Sequence, residues 1–341
     1  MKTFFERSVM AVALTAAVTA GYLAVERSPQ AAVTPAGGDA AAMLAPQDEA
    51  PVEQATLSRP DEPLFPPKRP DAPQRESKRQ PTDSVTALHD WFAELDYDLE
   101  HIRDGRAHVP PAYLASLPPD LAQVRETEKR KRLFFQAMLP LILRANQDIL
   151  SDRRRLWQIR ADQRLGRPVA AEDRLWLAAL AERYKVSADD IDVLIRRVDV
   201  VPPSMALAQA AEESGWGTSR FARLGNAMFG QWTTAEGNGL IPRERDEDKD
   251  HKVRAFGTLI DSVQAYMLNL NTHRAYRELR RARAALRRSG DPLNGLSLAR
   301  FLTRYSERGE KYVAAIRAMI RVNGLERLDD ARLVRWPRPE A

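Results

Sequence analysis

Apolar residues recur every three or four positions through most of the chain after residue 86, which is the spacing of amphipathic helices. Alternating apolar and polar positions, the pattern of half-buried strands, are confined to a short stretch after residue 232. The pattern therefore predicts a mainly α-helical fold. The predicted helices cover residues 88–102, 127–150, 156–163, 171–184, 187–197, 203–214, 261–270, 274–288 and 298–323.

The predicted helix at 203–214 is built mostly from small residues and has clear signals at both ends. Pro202 and Pro203 suit a first helical turn, and Gly215 can end the helix in the left-handed conformation without a Cβ penalty. Its last turn carries two adjacent carboxylates, Glu212 and Glu213. The negative end of the helix dipole and partly apolar surroundings both raise the pKa of a carboxyl group there. Such a group suits general acid catalysis near neutral pH.

Residue types that commonly bind sugars follow this helix directly: Trp216, Asn226, Phe229 and Trp232. Aromatic rings stack on sugar faces and amides hydrogen-bond sugar hydroxyls, although for Trp232 a place in the core fits nearly as well. Two extended pieces then flank an acidic run at 246–250. We interpret these pieces as a small β-hairpin with the acidic run in its turn.

Composition narrows the chemistry further. The chain has 341 residues, 44% of them hydrophobic, which is enough for one or two domains with a sizeable core. The absence of cysteine excludes disulfides, thiol nucleophiles and thiolate zinc sites, and the five histidines lack metal-ligand spacing, so we predict no metal and no cofactor. The net charge of +5 favours an anionic partner such as a cell-wall polymer or phospholipid, and no nucleic-acid motif accompanies it. Seven arginines at 274–288 indicate either a solvated helix face or contact with an anionic surface.

The N-terminus predicts export. Lys2 and Arg7 precede an uncharged stretch at 8–25, which is either a removed signal peptide or a retained inner-membrane anchor. Both alternatives send the rest of the chain to the periplasm. Residues 28–86, rich in proline and alanine, are predicted to be a disordered linker because they cannot bury enough apolar surface. Residues 331–341 form a short tail.

Several sequence blocks, taken in order, resemble one known family. AQAAEESGWGTSRFA, NAMFGQW and YSERGEKYVAAIRAMI are similar to the N-acetylglucosaminidase domain of glycoside hydrolase family 73, and to its Bax-like branch of proteobacterial proteins. The similarity extends over residues 88–329. It implies a lysozyme-like helical domain with a small β-hairpin lobe at 186–330, preceded by a helical accessory region at 87–185. It also implies a peptidoglycan glycan strand as the substrate.

The resemblance assigns roles to individual residues. The family's general acid is the glutamate of E-S-G-W-G, which is Glu213 here, with Glu212 as a flanking residue that points elsewhere. A second carboxylate on the hairpin lobe matches Glu244 better than Glu236, and the substrate's own N-acetyl group can replace it. The family's tyrosine matches Tyr305, which would orient substrate, whereas Tyr312 is interpreted as packing. Asn226 and Phe229 match residues of the cleft floor.

We therefore expect an endo-β-N-acetylglucosaminidase that hydrolyses the β-1,4 bond of peptidoglycan. One alternative is a lytic transglycosylase, which also uses a single glutamate but forms a 1,6-anhydro product without water. The other is a non-catalytic peptidoglycan-binding protein whose cleft holds the glycan without cutting it.

Overall fold

The computed structural model describes residues 83–233, 239–240 and 252–334. The described residues belong to one compact unit, Ala72–Ala341. The predicted export segment at 8–25, the linker to residue 82, Glu236, Glu244 and the end of the tail lie outside the described residues. Among the described helices, none combines the length and the apolar character needed to cross a membrane.

The described residues form eleven α-helices and three short strands, so the prediction of a mainly helical fold is confirmed. The helices are α1 Val85–Glu94, α2 Leu99–Arg103, α3 Thr127–Arg164, α4 Ala171–Arg183, α5 Ile191–Arg197, α6 Pro203–Ser214, α7 Arg220–Gly225, α8 Leu259–Thr272, α9 Arg277–Ser289, α10 Gly295–Leu298 and α11 Glu310–Val322. The strands are β1 Trp232–Thr233, β2 Gly239–Leu240 and β3 Lys252–Arg254.

Several helix boundaries differ from the predicted ones, each for a local reason. The patterns at 127–150 and 156–163 form one continuous helix, α3, because no glycine or proline separates them. The pattern at 88–102 is divided at Asp96, whose φ is 49°. Helix α5 begins at Ile191 and not at 187, because the Asp190 side chain accepts a hydrogen bond from the Val193 N–H and caps the helix there.

The predicted helix at 298–323 is also wrong in its first half. Helix α10 ends at Leu298, a short 3₁₀ turn follows, and α11 begins only after Gly309, whose φ is 53°. The intervening loop carries Tyr305 and Arg308. This break matters because both residues reach the end of α6.

The three strands form one antiparallel sheet in the order β1–β3–β2. Strands β2 and β3 pair as the predicted hairpin, and β1 adds a third strand on the other side of β3. Val253 lies opposite Trp232 on one side and Leu240 on the other.

Helix α6 lies at the centre of the core. Every residue of α6 except Glu213 is buried. At its N-terminus, the Asp329 carboxylate accepts hydrogen bonds from the Ser204 N–H and hydroxyl and from the Gly295 N–H, at 2.8 to 2.9 Å. A Cβ on Gly295 would lie 2.1 Å from the Ser204 Oγ, so only glycine permits this close approach of α10 to α6.

The helical region before residue 186 and the region after it contribute to one hydrophobic core. The clearest contact is Trp216, whose ring packs edge-on against Phe134 and Phe135 of α3, with centroids 6.0 and 5.3 Å apart. A Cβ on Gly217 would lie 2.4 Å from the Leu117 Cδ1. The end of α6 is therefore held against the N-terminal helices.

Candidate active site

The end of α6 presents one carboxyl group to a partly exposed surface. Gly215 ends the helix with a φ of 57°, and its N–H donates to the Ala211 carbonyl, as its sequence position predicted. The Ser214 hydroxyl donates to the Ala210 carbonyl at 2.6 Å and accepts the Gly217 N–H at 2.8 Å. The turn after Glu213 is therefore rigidly bonded, which fixes where this carboxyl group points.

Burial and neighbouring charges set the protonation of Glu213. Burial raises the pKa of this carboxyl group from 4.5 to about 7, and the Glu212 charge also raises it. A hydrogen bond from Tyr312 and the charge of Arg308 lower the pKa, but they do not overcome burial. The protonated form of Glu213 is therefore favoured near neutral pH compared with an ordinary glutamate, which suits general acid catalysis.

Tyr312 lies close to Glu213, although the sequence analysis interpreted it as a packing residue. Its ring is fully buried on α11, and its hydroxyl acts on the Glu213 carboxyl group and lowers the pKa of that group. The Gln209 amide Nε2 donates to the same hydroxyl at 2.9 Å. The spacing of two tyrosines on a helical stripe indicates only that both pack, and no local signal distinguished Tyr312 from Tyr305.

Glu212 is buried and paired rather than simply turned away. Its carboxylate lies 2.5 Å from the Arg308 guanidinium, which itself lies 5.2 Å from the centroid of the Tyr312 ring. The second carboxylate oxygen of Glu212 has no hydrogen-bond partner within the described residues. Glu212 thus remains a nearby negative charge, consistent with its effect on Glu213.

Tyr305 lies near Glu213, and its predicted role in orienting substrate stays a prediction. Its hydroxyl donates to the Phe229 carbonyl at 3.0 Å, and its ring stacks on Tyr312 with centroids 5.4 Å apart. Phe229 is 2% exposed and stacks on Tyr266 with centroids 3.9 Å apart. Tyr305 therefore anchors the segment that leads into Gly230.

Gly230 brings the backbone directly against the acid. A Cβ at this position would lie 3.1 Å from Glu213 Oε2, and the φ of 59° also favours glycine. Aromatic side chains pack around this point: Phe229 and Tyr305 from two loops, Tyr266 from α8 and Tyr312 from α11. Burial is the main cause that raises the pKa of the phenols of Tyr305 and Tyr312, and the charge of Glu213 raises it further. Both phenols therefore keep their protons at physiological pH.

Asn226 and Trp216, two of the remaining predicted sugar-binding residues, have structural partners. The Asn226 amide, on a residue with φ 48°, donates to the Phe256 and Gly257 carbonyls at 3.3 and 3.2 Å. Trp216 has a φ of 61°, unusual for a bulky residue, and Lys131 Nζ lies 5.5 Å from its ring centroid. The backbone of Trp232 lies in β1, and its side chain is outside the description. A role in sugar binding stays a prediction for all three.

The arginines of α9 divide into two sets. On the buried face, Arg283 is 1% exposed and donates to the Asp199 and Val200 carbonyls. Arg287 is more exposed and pairs with the Asp199 carboxylate at 2.9 Å. Burial alone would raise the pKa of Asp199, but the arginines around it hold that pKa below its ordinary value. The exposed set is Arg277, Arg281 and Arg288, which share one face of the helix. This second set lies at the surface, where Arg277 and Arg281 also pair with Glu278.

Within the described ranges, no three histidine, aspartate or glutamate side chains cluster as a metal site would require.

A mainly helical domain that holds one carboxyl group of raised pKa at the end of a central helix is the arrangement of a lysozyme-like glycosidase. Residues 189–325 match the family model described as mannosyl-glycoprotein endo-beta-N-acetylglucosaminidase. The chain is 34% identical over 214 residues to Protein bax of Escherichia coli (strain K12), which covers 60% of this chain and 74% of that protein. No solved structure matches the chain. The chain belongs to the glucosaminidase family, and its domain is that of a glycosidase acting on a glycan.

Proposed function

We propose that the protein is an exported N-acetylglucosaminidase that hydrolyses the β-1,4 bond of the peptidoglycan glycan strand, with Glu213 as the general acid. The observation that carries this proposal is the carboxyl group of Glu213, which is half-buried and has a pKa of about 7. Family membership supports a glycan as the substrate class. The predicted export segment at 8–25 supports a periplasmic location, in which the protein is either soluble or tethered to the inner membrane.

In this reaction Glu213 gives its proton to the glycosidic oxygen as the bond from that oxygen to the anomeric carbon breaks. The sugar then carries an oxocarbenium-like positive charge, and Glu213 is left as a carboxylate. The hydroxyl of a water molecule joins the anomeric carbon, and the water's other proton passes to a base. Glu244, or else Glu236, is the proposed base. In the alternative, the oxygen of the substrate's N-acetyl group bonds to the anomeric carbon as the glycosidic bond breaks; water then displaces that oxygen, and the water's proton returns to the Glu213 carboxylate.

The neighbours of Glu213 support the same assignment. The Tyr312 hydroxyl is already placed to stabilise the carboxylate that proton transfer leaves behind. Tyr305 holds the Phe229 carbonyl, and the adjacent Gly230 lets the backbone lie against Glu213. Tyr305 would therefore act on the substrate partly by fixing the backbone that lines the cleft.

The test is product analysis on purified sacculi with the full-length protein. We expect new reducing N-acetylglucosamine ends, measured by mass spectrometry, and a loss of about 10²- to 10⁴-fold in rate for Glu213→Gln. Glu94→Gln serves as the control because Glu94 is exposed and lies on α1. Its rate should match the wild type.

Other outcomes separate the alternatives. Anhydro ends, which are lighter by one water molecule, would identify a lytic transglycosylase. Binding to sacculi without any cleavage would identify a non-catalytic binding protein. Retention of more than about a tenth of the wild-type rate by Glu213→Gln would refute the role of Glu213.

A further inference from the structure

Three fully buried side chains form a hydrogen-bond chain that ends on Glu213. The Tyr266 hydroxyl donates to Gln209 Oε1 at 2.7 Å, and Gln209 Nε2 donates to the Tyr312 hydroxyl oxygen at 2.9 Å. Gln209 lies one helical turn before Glu213 on α6, so the Tyr312 hydroxyl that it contacts faces the Glu213 carboxyl group, whose pKa it lowers. All three side chains have an exposed fraction of 0%, so water does not compete for their polar atoms.

The chain has a fixed direction. An amide has one accepting and one donating end, and a phenol has a single proton to donate. Because Gln209 Oε1 accepts the proton of Tyr266, only the donating end of the amide faces Tyr312. The Tyr312 oxygen is therefore an acceptor on that side, and its single proton is directed at Glu213. A reversed amide would instead accept the Tyr312 proton and leave Glu213 without it.

The other groups that face Glu213 do not replace this donor. Glu212, on the same helix, is a negative charge paired with Arg308 of the loop before α11. Three further phenols interact with the Glu213 charge from neighbouring elements, and each keeps its proton because burial raises its pKa: Tyr266, Tyr276 and Tyr305. Within the described residues, Tyr312 is the side chain whose hydroxyl lowers the pKa of Glu213.

We propose that Gln209 and Tyr312 are positioning residues that orient the Glu213 carboxyl group and stabilise its ionised form. The inference rests on the proposed role of Glu213 as general acid. Burial makes ionisation of this group costly, yet a general acid must ionise at the moment the glycosidic bond breaks. The directed proton of Tyr312 offsets part of that cost, because hydrogen bonds to a charged acceptor are stronger than neutral ones.

The test uses two substitutions in the full-length protein. Tyr312→Phe keeps the ring that stacks on Tyr305 and removes only the hydroxyl. Gln209→Met keeps the length of the side chain and removes the amide that directs the hydroxyl. Tyr184→Phe is the matched control, since Tyr184 is 1% exposed, and the charges that act on its hydroxyl do not include Glu213.

The first measurement is the titration of the Glu213 carboxyl carbon by NMR without substrate, with the signal assigned by its absence in Glu213→Gln. For Tyr312→Phe we expect the midpoint to rise by about one pH unit, which is a tenfold change in ionisation constant. Gln209→Met should raise the midpoint by a smaller amount, and Tyr184→Phe should leave it unchanged. On sacculi, Tyr312→Phe should lower kcat about tenfold with little change in KM, and should move the alkaline limb of the pH profile upward.

The outcomes distinguish this inference from the proposed function. An unchanged Glu213 midpoint in Tyr312→Phe overturns the inference even if sacculi are cleaved. A shift in Tyr312→Phe without any shift in Gln209→Met overturns the role of Gln209. Full activity of Glu213→Gln would refute the proposed function, whereas the NMR titration would still test the hydrogen-bond chain. If circular dichroism shows that Tyr312→Phe is unfolded, the Gln209→Met titration decides.

Discussion

The buried carboxyl group of Glu213 should destabilise the fold wherever it is ionised. Its pKa is about 7 in the folded protein, compared with an ordinary value of 4.5. Gln has nearly the same shape as protonated Glu and carries no charge at any pH. We therefore predict that Glu213→Gln makes the protein more stable than the wild type at high pH, even as it removes activity.

The sign and size of the effect follow from proton linkage. Between pH 4.5 and about pH 7, the folded state keeps the Glu213 proton that the unfolded chain has already released. Stability falls as pH rises wherever the folded state binds more protons. Since one pKa unit corresponds to about 1.36 kcal/mol, the wild type should lose about 3 kcal/mol relative to Glu213→Gln across this window. Below pH 4.5 the difference should be constant, and above about pH 7 it should level off.

Urea unfolding at a series of pH values measures this difference directly. Asp329 also titrates in the window, because burial raises its pKa to about 6. Its contribution is common to both proteins and cancels in the difference between their free energies of unfolding. Equal m-values would show that the two unfolding transitions expose the same surface.

A difference in stability that does not change with pH would refute the reasoning. So would a difference that grows toward acid, since that requires a lowered pKa for Glu213. Glu94→Gln is again the control, because the exposed Glu94 is in water in both the folded and the unfolded state.

Two further predictions concern charges near and far from the acid. Glu212→Gln removes a charge that raises the pKa of Glu213. The alkaline limb of the pH profile of activity on sacculi should therefore move to lower pH, opposite to the effect of Tyr312→Phe. A shift to higher pH would contradict this role of Glu212. The same substitution should lower the free energy of unfolding by about 1–3 kcal/mol, measured by urea unfolding, because it leaves Arg308 without its ionised partner. Neutralising three exposed arginines of α9, namely Arg277, Arg281 and Arg288, should weaken sacculus binding at low salt but not at high salt. Turnover of a short soluble glycan should stay intact. Salt-independent binding would rule out an electrostatic contact.

Much of the fold could be predicted from local pattern. The proline at the start of α6 and the glycine at its end are signals carried by single residues, and both boundaries were predicted correctly. Two of the helix boundaries that were wrong lie where a side chain or a positive φ decides the outcome, at Asp190 and Gly309. Apolar spacing extends through such positions without any change, so it cannot locate them.

The arginine-rich helix shows a different limit. Its composition suggested one solvated or anion-binding face, but Arg280 and Arg283 are buried and donate to backbone carbonyls of neighbouring elements. Substituting these two would test the stability of the fold rather than surface binding. The sequence shows the number of charges, whereas the packing of α9 decides which of them are available.

The sequence by itself determined that a carboxyl group lies at the end of a small-residue helix, because helix start and stop signals act within a few residues. Only the tertiary structure decided what surrounds that carboxyl group. Arg308 contacts Glu212, which lies 96 residues away in the chain, and Tyr312 contacts Gln209, which lies 103 residues away. Periodicity marks such side chains as apolar or polar, but it does not say which of them meet. Burial and hydrogen bonding set the pKa of Glu213, and both arise from those long-range contacts.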